Sequence, residues 1–513
     1  MTSGSSATVA LIALVACAQH ATAQRRIWTA ETRVVVGDGG RLAALAVAPR
    51  AVYGAAAGSI VVFDLVRSRW ELPLAYPPEL QVTRPSALAW DPAAAALWLG
   101  TEAGDVFTNV PGFDQWDRVP IFTRGGVDAI VAYTRESAMY IRAGGEWHRV
   151  RSGSLLADAV PPAAVPAAVL AAAAPPADPY FRSSMGTLRL DASGYLWTLT
   201  DAERGDAAGE YWIATSGGGL QRFDSRTGRR DWHRFGLVGS GAGSIARLSG
   251  GLWFGGDGRG ERSGVAQSAA DLTRWQQYDA TRGAPRGFVA EIVEFGGSTW
   301  FGSSDGLFRL RPGGGDAGDW SRLTTRSGLP SDRVRAVHVA DGQLWVGTER
   351  GLAAFDTAGQ HTAGSLLTGV RTSRLTSWRD TLYVASEAGL WKLPLGMAPA
   401  PLRAEARRSV ADVAQADAIL WLIMDEQLHR ADRPGPERDG ALDAIGPAFR
   451  LAVEDGRLWV AGARGIAHRD PMTGAWEAFT SPQDLPGPVV DVLPAGADVW
   501  VATPQGAIRL RWR

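Results

Sequence analysis

The side chains that most often carry metal or acid–base chemistry are few in this sequence, and they are widely spaced. The 513 residues include seven histidines and one cysteine. No two histidines stand four residues apart, the spacing that puts two metal ligands on one helix face, and no second thiolate is present to complete a zinc site. His148 and His233 each follow a tryptophan at equivalent points of a repeat, which predicts a surface role on an outer strand. We expect no metal site and no cofactor.

The glycine-rich tracts also lack the residues that would make them catalytic or phosphate-binding. Gly217–Gly219 and Gly313–Gly315 precede no predicted helix and carry no P-loop lysine, so they indicate turns between strands. Gly239–Ser244 indicates a flexible turn, because its surroundings do not predict the strand–turn–helix of a nucleophile elbow. Carboxylates without the spacing of a catalytic pair stand at Asp332, Asp425, Glu426 and Asp491. The sequence therefore predicts no catalytic residue.

Two arginines are the best candidates for a ligand contact. Arg333 and Arg335 flank a predicted first strand, so they would face either a central channel or a loop on one face of the molecule. Both places would suit an anionic ligand, because a guanidinium group pairs with a carboxylate or phosphate through two hydrogen bonds. The alternative is a solvated loop that holds no ligand.

The composition favours a β protein with a substantial core. Hydrophobic residues make up 46% of the chain, and it contains 62 glycines and 21 tryptophans, which is typical of short strands joined by tight turns. Lysine and arginine total 52 against 53 acidic residues, so the formal net charge is -1. This balance argues against nucleic acid or an anionic membrane surface as a partner.

The N-terminus predicts export from the cytoplasm. An apolar run over Thr8–Ala16 is too short to span a bilayer, and Ala21–Ala23 fits a signal-peptidase site with cleavage before Gln24. A second interpretation is lipoprotein cleavage before Cys17, because Leu14–Cys17 resembles a lipobox and this is the only cysteine in the chain. Either interpretation predicts a periplasmic or extracellular protein, and the second adds a lipid anchor as its only membrane attachment.

The rest of the chain is a repeat array. An apolar–aromatic–apolar–small pattern recurs at intervals of about 40 residues, which is typical of one four-stranded propeller blade per repeat. Its anchor aromatics, to which we assign a structural role in the blade core, are Trp98, Trp212, Trp253, Trp300, Trp345, Tyr383, Trp421, Trp459 and Trp500, with weaker copies at Tyr53 and Tyr140.

Two further patterns place the strands around each anchor. Asp341–Gly342 and Gly296–Gly297 separate apolar runs, as expected for hairpin turns that need positive φ. A second motif, tryptophan followed three residues later by an apolar or aromatic residue, predicts a fourth, outer strand. It begins at Trp116, Trp147, Trp232, Trp275, Trp320 and Trp476. We predict an all-β protein of about 11 β-propeller blades, more than one ring holds, and therefore two propellers.

One pair of segments carries a family resemblance. Ser327–Val337 followed by Leu344–Leu352 resembles the two-component regulator propeller repeat, best known from periplasmic sensor regions of bacterial hybrid histidine kinases. The resemblance implies propeller repeats of a sensor type. This chain has the propeller part only, without a membrane helix or kinase domain, so it implies no direct signal transduction here.

The repeats divide the chain into predicted domains. After the signal segment 1–23 we expect propeller repeats over 24–157, an Ala/Pro-rich linker or insertion over 158–185 with a short helix within 167–174, and a further repeat over 186–240. Residues 241–513 would form a seven-bladed propeller. Leu196–Leu199 is a candidate extra anchor. The last blade lacks an outer strand, which either Arg230–Phe235 would supply locally, the option we favour, or Ile27–Val36 from the N-terminus.

These features lead to three functional hypotheses. The first is an exported, non-catalytic propeller that binds a ligand or protein partner, an envelope protein or a glycan, in a sensor-like or scaffold role. The second is a propeller-type lyase acting on a polysaccharide or a small cyclic substrate, which would need histidine, glutamate and arginine converging in one cleft. The third is an envelope assembly lipoprotein.

Overall fold

The computed structural model describes residues 28–513 except 30, 78–83, 114, 175–187, 192–193, 261, 397–402 and 407. The predicted signal segment 1–23, with Cys17, lies outside these residues. In the described part of the chain the strands form eleven sheets, of which nine have four strands, one has five and one has three. The prediction of a propeller with about 11 blades is confirmed.

Strand β1 (Arg33–Val36) comes first, and the next four sheets form what we call the four-sheet unit. Unit sheet 1 contains β2 (Leu42–Val47), β3 (Ala51–Ala56), β4 (Ser59–Asp64) and β5 (Arg69–Ala75). Unit sheet 2 contains β6 (Pro85–Asp91), β7 (Ala96–Thr101), β8 (Val106–Asn109) and β9 (Asp117–Val119). Unit sheet 3 contains β10 (Val127–Tyr133), β11 (Ala138–Ala143), β12 (Glu146–Arg151) and β13 (Ala157–Val160). Unit sheet 4 contains β14 (Leu188–Leu190), β15 (Leu196–Arg204), β16 (Glu210–Thr215), β17 (Leu220–Asp224) and β18 (Arg230–His233).

The remaining sheets form the seven-sheet ring. Ring sheet 1 contains β19 (Ala242–Leu248), β20 (Gly251–Gly256), β21 (Gly264–Ser268) and β22 (Trp275–Asp279). Ring sheet 2 contains β23 (Val289–Phe295), β24 (Ser298–Ser303), β25 (Gly306–Arg311) and β26 (Asp319–Leu323). Ring sheet 3 contains β27 (Val334–Ala340), β28 (Gln343–Thr348), β29 (Gly351–Phe355) and β30 (His361–Leu366). Ring sheet 4 contains β31 (Thr372–Trp378), β32 (Thr381–Ser386), β33 (Gly389–Pro394) and β34 (Arg403–Ala406).

Three more sheets complete the ring. Ring sheet 5 contains β35 (Asp412–Ala416), β36 (Ile419–Met424) and β37 (Gln427–Arg430). Ring sheet 6 contains β38 (Ala448–Glu454), β39 (Arg457–Gly462), β40 (Gly465–Arg469) and β41 (Trp476–Thr480). Ring sheet 7 contains β42 (Asp491–Ala495), β43 (Asp498–Thr503), β44 (Gly506–Arg511) and, as its outer strand, β1. The first strands pack in chain order and β19 also packs against β42, so the seven sheets close on themselves.

The closure of the ring differs from the favoured expectation. Strand β1 pairs antiparallel with β44, Arg33 lying opposite Leu510 and Val36 opposite Ala507. Arg230–His233 instead forms the outer strand of unit sheet 4. The range 241–513 is therefore not sufficient for the ring, since four N-terminal residues complete it. The physical reason is burial: Val34 and Val36 enter the core between the ring and the four-sheet unit.

The helices are short and connect sheets. They are α1 (Ala167–Ala172) and α2 (Gly440–Ile445), with 3-10 turns at Thr134–Glu136, Pro162–Ala164, Ala280–Arg282, Gly315–Ala317 and Thr325–Ser327. Helix α1 packs Val169 against Tyr140 and Trp147 of unit sheet 3. The linker expected over 158–185 thus begins inside β13 and contains this docked helix, while 175–187 lies outside the described residues. Among the described residues no helix has the length and apolar character needed to cross a membrane.

Two other local expectations need correction. Leu196–Leu199 lies in β15, the strand that pairs with the Trp212 strand, so it adds no blade. Trp147 lies on β12, a third strand, because β13 follows it in the same sheet. The other five tryptophans of that motif lie on or directly before the outermost strand of their sheet, as predicted; this is a fourth strand except at Trp232, where β18 is the fifth.

Backbone conformation explains why glycine recurs in the hairpin turns and at the start of third strands. Asp341 and Gly342 have φ values of 50° and 67°, as the predicted hairpin turn requires. Five of the seven third strands of the ring begin with a glycine whose φ is also positive, for example 140° at Gly351. A Cβ there would lie 2.9 Å from the Leu366 carbonyl oxygen, so the fourth strand could not approach.

The core lies between successive sheets. Each anchor ring packs on the next sheet: Trp300 contacts the cluster containing Val337 and Val346, and Trp459 contacts the cluster containing Val492 and Val501. An aromatic side chain buries about 150–250 Å², which is worth several kcal/mol at about 25 cal/mol per Å². One large aromatic side chain per sheet is therefore enough to hold neighbouring sheets together.

Candidate functional site

The ring brings a set of charged side chains to its axis through one repeated sequence position. This axial position is nine residues before each ring anchor, on the first strand of each sheet. The register places Glu291 opposite Gly302 and Arg374 opposite Ala385, in the same relation to their anchors. The residues at this position are Ser244, Glu291, Ala336, Arg374, Asp412, Arg450 and Asp491. We call the five charged ones the axial cluster.

Each carboxylate of the axial cluster holds the next sheet in sequence. Glu291 accepts a hydrogen bond from the backbone N–H of Val337 at 2.9 Å. Asp412 accepts one from Leu451 at 2.8 Å, and Asp491 closes the circle by accepting from Ile245 of ring sheet 1 at 3.1 Å. These acceptors satisfy inner-strand donors that a neighbouring strand does not reach, and buried donors left unsatisfied would be costly.

The two arginines link the carboxylates across the channel. Arg374 lies 3.0 Å from Glu291 and 3.7 Å from Asp412. Because Ala336 stands at the axial position between them, its small side chain leaves room for Arg374 to reach Glu291 two sheets away. Arg450 donates to Asp491 at 2.7 Å. The side chains of Arg374 and Asp412 are 11% and 3% exposed, so these pairs are shielded from solvent.

Burial sets the protonation behaviour of the cluster. It raises the pKa of Asp412 to about 7 and that of Asp491 to about 6, against the opposing effect of Arg374 and the backbone hydrogen bonds. The pKa of Glu291 is raised for the same reason. Burial also works against charge on Arg374, but Glu291, Asp412 and Asp491 outweigh it and raise its pKa. Arg374 therefore stays charged while the carboxyls remain close to protonation.

A neighbouring histidine completes the lining of the channel. His338 lies on β27 with its Nε2 2.9 Å from the Ser377 hydroxyl, and burial lowers its pKa. The cluster thus consists of groups that are already paired with each other or with the backbone. Its hydrogen bonds hold the inner strands of neighbouring sheets together. Among the described residues no group of three or more His, Cys, Asp or Glu side chains is placed to hold a metal ion.

The structure places Arg333 and Arg335 at one end of the ring. We call this end, where the first strands begin, the upper face, and the opposite end the lower face. Arg335 pairs with Glu349 at 2.7 Å, and Arg333 is exposed while its carbonyl accepts the Glu349 N–H. Neither belongs to the axial cluster. Of the two places expected for them, they occupy the loop side.

Further exposed arginines lie in other loops of the upper face. We call the group Arg286, Phe288, Arg326, Arg333 and Arg350 the arginine face; its members lie in the loops and turns of ring sheets 2 and 3. All five are exposed, and Phe288 keeps 37% of its surface in solvent. Within the described residues, none of these four arginines forms an ion pair. The face combines unpaired positive charge with an aromatic side chain.

The remaining residues singled out in the sequence have structural places. The nine anchor aromatics are all buried, with exposures from 0% at Trp300 to 7% at Trp345 and Tyr383. The surface role expected for His148 and His233 is wrong. His148 is buried, and His233 packs 4.3 Å from Phe63, where burial lowers its pKa to about 4. Phe63 of unit sheet 1 covers His233, and His148 lies on the same strand face as Val150, which packs toward unit sheet 2.

Sequence reasoning missed most of the axial cluster, although a signal for it exists. Asp491 was noted as a scattered carboxylate, and Asp425 and Glu426, noted with it, lie in a turn of the upper face. Glu291, Arg374, Asp412 and Arg450 were not singled out. Counting nine positions back from each anchor would have shown a charged residue in five of seven ring repeats.

Comparison with known proteins adds the following. No protein-family model matches this chain, and no curated protein sequence is significantly similar to it. The extracellular domain of a B. thetaiotaomicron protein assigned to the one component systems is 11% identical with a TM-score of 0.42, and the match covers 92% of this chain and 69% of that one. The extracellular domain of a hybrid two component system of the same organism is 11% identical with a TM-score of 0.41. That match covers 90% of this chain and 60% of the other.

Two further solved structures have other descriptions. PorZ, a bacterial surface component of the type-IX secretion system of Porphyromonas gingivalis, is 12% identical with a TM-score of 0.43, over 92% of this chain and 74% of that one. Virginiamycin B lyase from Staphylococcus aureus is 13% identical with a TM-score of 0.43, over 53% of this chain and 94% of that one.

Proposed function

We propose that this protein is an exported, non-catalytic propeller that binds an anionic segment of a partner protein at its arginine face. The observation that carries the proposal is a group of four exposed arginines on the face of Phe288, for which the described part of the chain provides no ion pair. Arginine and aromatic residues are enriched at interface hot spots. Of the two arginines that the sequence singles out, Arg333 belongs to the arginine face, and Arg335 lies on the same upper face but pairs with Glu349.

The axial cluster supports a scaffold rather than a catalytic role. Its carboxylates hold backbone N–H groups of neighbouring sheets and its arginines bridge those carboxylates, so the cluster is committed to closing the ring. A general acid or base must be able to reach a substrate proton within hydrogen-bond distance. Groups whose oxygens and nitrogens already bind each other are poorly suited to that task.

The binding proposal is tested by cross-linking from the arginine face. A photoreactive phenylalanine analogue replaces Phe288, which is exposed and has a similar ring. In cells we expect a specific cross-linked partner, and we expect it to disappear when Arg286, Arg326, Arg333 and Arg350 are changed to serine. Changing Arg274 and Arg379, exposed arginines of the lower face, provides the matched control. A cross-link that survives the four-serine change, or none at all, contradicts the proposal.

Export and anchoring are tested separately. The apolar run over Thr8–Ala16 motivates the export proposal, and the lipobox-like Leu14–Cys17 motivates a lipid anchor. We expect a tagged chain to fractionate with the cell envelope or the medium. If the anchor exists, Cys17→Ser releases the protein from the membrane fraction without changing its folding. Recovery in the cytoplasm would contradict the export proposal and leave the arginine-face test unaffected.

A further inference from the structure

A groove of about 490 Å³ opens between ring sheets 1 and 2 on the lower face. Its inner end is formed by Ser249 and Glu294, near the axis, and its outer end by Gln276 and the turn around Gly315. The groove crosses the width of a four-stranded sheet. Three strand spacings of about 4.8 Å give a length of about 14 Å, which matches about four residues of extended chain at 3.3 Å each. Its volume lies within the range of ligand sites, about 300–1,000 Å³.

Ring sheet 1 lacks, beside the groove, a cation that several other sheets place over their anchor side chain; Ala354 and His468 stand at the same position in ring sheets 3 and 6. The residue that pairs with the anchor on the third strand is a cation over the anchor ring in several sheets: Arg222, Arg309, Lys392 and Arg430. In ring sheet 1 this residue is Gln267, opposite Trp253. Its amide nitrogen donates to the Gly250 carbonyl of its own sheet at 3.0 Å. It therefore does not extend toward ring sheet 2.

The next groove shows how a cation at this position fills the space. Arg309 of ring sheet 2 crosses to ring sheet 3, where its Nη1 donates to the Ala358 carbonyl at 3.2 Å. The turn at Gly359 lies against Trp300, so that a Cβ on this glycine would be 3.3 Å from the ring. At Gly313 and Gly315, in the equivalent turn of ring sheet 2, a Cβ would meet nothing within 4 Å. The groove between ring sheets 1 and 2 is thus open where its neighbour is closed.

The lining of the groove fits peptide groups. Gln267 and Gln276 are paired residues on neighbouring strands, so their amides stand side by side. A primary amide offers one donor and one acceptor edge, the same pair that a peptide group presents. Among the described residues, the Gln276 side chain forms a single hydrogen bond, a long one of 3.4 Å to the Gly315 carbonyl. Exchanging it for a bond to a ligand would cost little.

The aromatic floor argues against a sugar as the occupant. Trp253 is stacked on Tyr278, with ring centroids 5.8 Å apart, and Phe301 packs against Trp253. Trp320 packs edge-on against Tyr278. Trp253 and Tyr278, which form the floor, are therefore covered by other aromatic side chains. Their buried faces are not open for a pyranose to stack on. They offer a peptide an apolar floor instead.

A carboxylate at the inner end adds a charge preference. Glu294 is exposed, and its Oε2 accepts hydrogen bonds from the Ser249 hydroxyl at 2.6 Å and the Ser249 N–H at 3.2 Å. This arrangement fixes the direction of the carboxylate and leaves Oε1 for another partner. Arg311 at the outer end is already near Asp319, at 3.5 Å. A basic side chain of a ligand would be favoured at the inner end.

We propose that this groove is a binding site for an extended peptide segment of about four residues that carries a basic residue over Glu294. It lies on the lower face and uses none of the arginine face, so the two proposals stand or fall separately. The two sites also differ in charge preference, since the arginine face favours an acidic partner.

Subtractive selection from a random peptide library on phage tests this proposal. The library is first depleted on a Gln267→Arg variant, in which an arginine like Arg309 of ring sheet 2 is introduced to fill the groove, and is then selected on the unchanged protein. We expect enriched peptides with a lysine or arginine at one end. The best synthetic peptide should bind the Gln267→Arg variant about tenfold more weakly or worse, the size expected for losing a hydrogen-bonded contact.

Matched variants make the result decisive. Arg309→Gln opens the neighbouring groove without touching this one, so the Kd should stay the same. Glu294→Gln should remove the preference for a basic end. If Gln267→Arg fails to fold, as judged by circular dichroism, Gln276→Leu replaces it in the same scheme. The proposal is overturned if no peptide is enriched, if the Kd is unchanged in the Gln267→Arg variant, or if that substitution instead abolishes binding of neutral oligosaccharides on a glycan array.

Discussion

The four-sheet unit and the seven-sheet ring both use carboxylates to hold a strand of a neighbouring sheet, but the two regions balance the charge of these carboxylates differently. In the ring, Arg374 and Arg450 accompany the carboxylates that hold the next sheet. In unit sheet 4, Asp201 accepts the Leu45 N–H at 2.9 Å and Glu203 accepts the Val47 N–H at 2.8 Å. No arginine of the described residues compensates these two carboxylates, and burial raises the pKa of Asp201 to about 6 and that of Glu203 to about 8.

This difference shows that hydrogen bonding and charge compensation are separate requirements. Both regions satisfy the inner-strand donors, since each carboxylate accepts a backbone N–H of a neighbouring sheet. Only the ring adds cations, which lets three carboxylates share one channel. The two regions should therefore respond in opposite ways when a carboxylate is neutralised.

The largest effect is expected from removing β1, which the ring needs and the four-sheet unit does not contain. A chain that begins at Gly37 loses Val34 and Val36, both fully buried, worth about 3–6 kcal/mol of apolar burial. It also exposes the edge of β44, which should promote association. Urea unfolding followed by circular dichroism and size-exclusion chromatography measure these changes, with a chain beginning at Trp28 as the control. Equal stability of the two chains would show that β1 does not close the ring.

The next effect comes from leaving the ring's carboxylates without their cation. Arg374→Met removes the partner of both Glu291 and Asp412, and we expect a loss of about 3–5 kcal/mol in the free energy of unfolding. The loss should be smaller at pH 5 than at pH 8, because protonation relieves the uncompensated charge. Arg450→Met, which removes the partner of Asp491 alone, should cost less. If both substitutions cost the same, or less than about 1 kcal/mol, the bridging role of Arg374 is wrong.

A smaller effect of opposite sign is expected in the four-sheet unit. The pKa of Glu203 is about 8 in the folded state, above the ordinary unfolded value, so the folded state binds this proton more tightly and stability falls as pH rises from about 4 to about 8. Glu203→Gln keeps an acceptor for Val47 and should add about 1–2 kcal/mol at pH 8 and almost nothing at pH 4.5.

Glu291→Gln in the ring is the matched substitution for Glu203→Gln. It takes away a partner of Arg374 and should therefore destabilise the protein at pH 8. Urea unfolding at several pH values separates the two results. Stabilisation by both substitutions would mean that the ring carboxylates are as uncompensated as those of the four-sheet unit.

The sequence predicted the architecture well because one physical requirement repeats. A large ring per sheet must fill each gap, and Trp253, Trp300, Trp345 and their equivalents stand about 40 residues apart for that reason. Closure by β1 was harder to predict. Arg33–Val36 is an apolar strand like many others, and only its burial between two bodies distinguishes it from Arg230–His233.

The candidate site was only partly predictable for a similar reason. Arg333 and Arg335 could be placed near a first strand, but whether they face the channel depends on strand register. The bulge at the start of β27 turns Arg335 toward Glu349, while Ala336 takes the axial position. Which charges meet across the channel depends on side-chain reach past Ala336, and this is a property of the closed ring.

The smallest effect concerns the cations over anchor rings, which occur in both regions. Arg309 lies 5.1 Å from the Trp300 centroid and also donates to Ala358 of the next sheet, whereas Arg222 lies 5.9 Å from Trp212 and pairs with Glu210 of its own sheet. Arg309→Gln should cost about 1 kcal/mol and Arg222→Gln about 0.5 kcal/mol. In 1 M salt the Arg222 value should shrink further, because its exposed ion pair is screened, while the Arg309 value should hold, because its contacts are to a ring and a carbonyl. Urea unfolding in low salt and in 1 M salt measures the difference. A salt-sensitive loss of stability in Arg309→Gln would show that the guanidinium acts through charge pairing rather than by connecting two sheets.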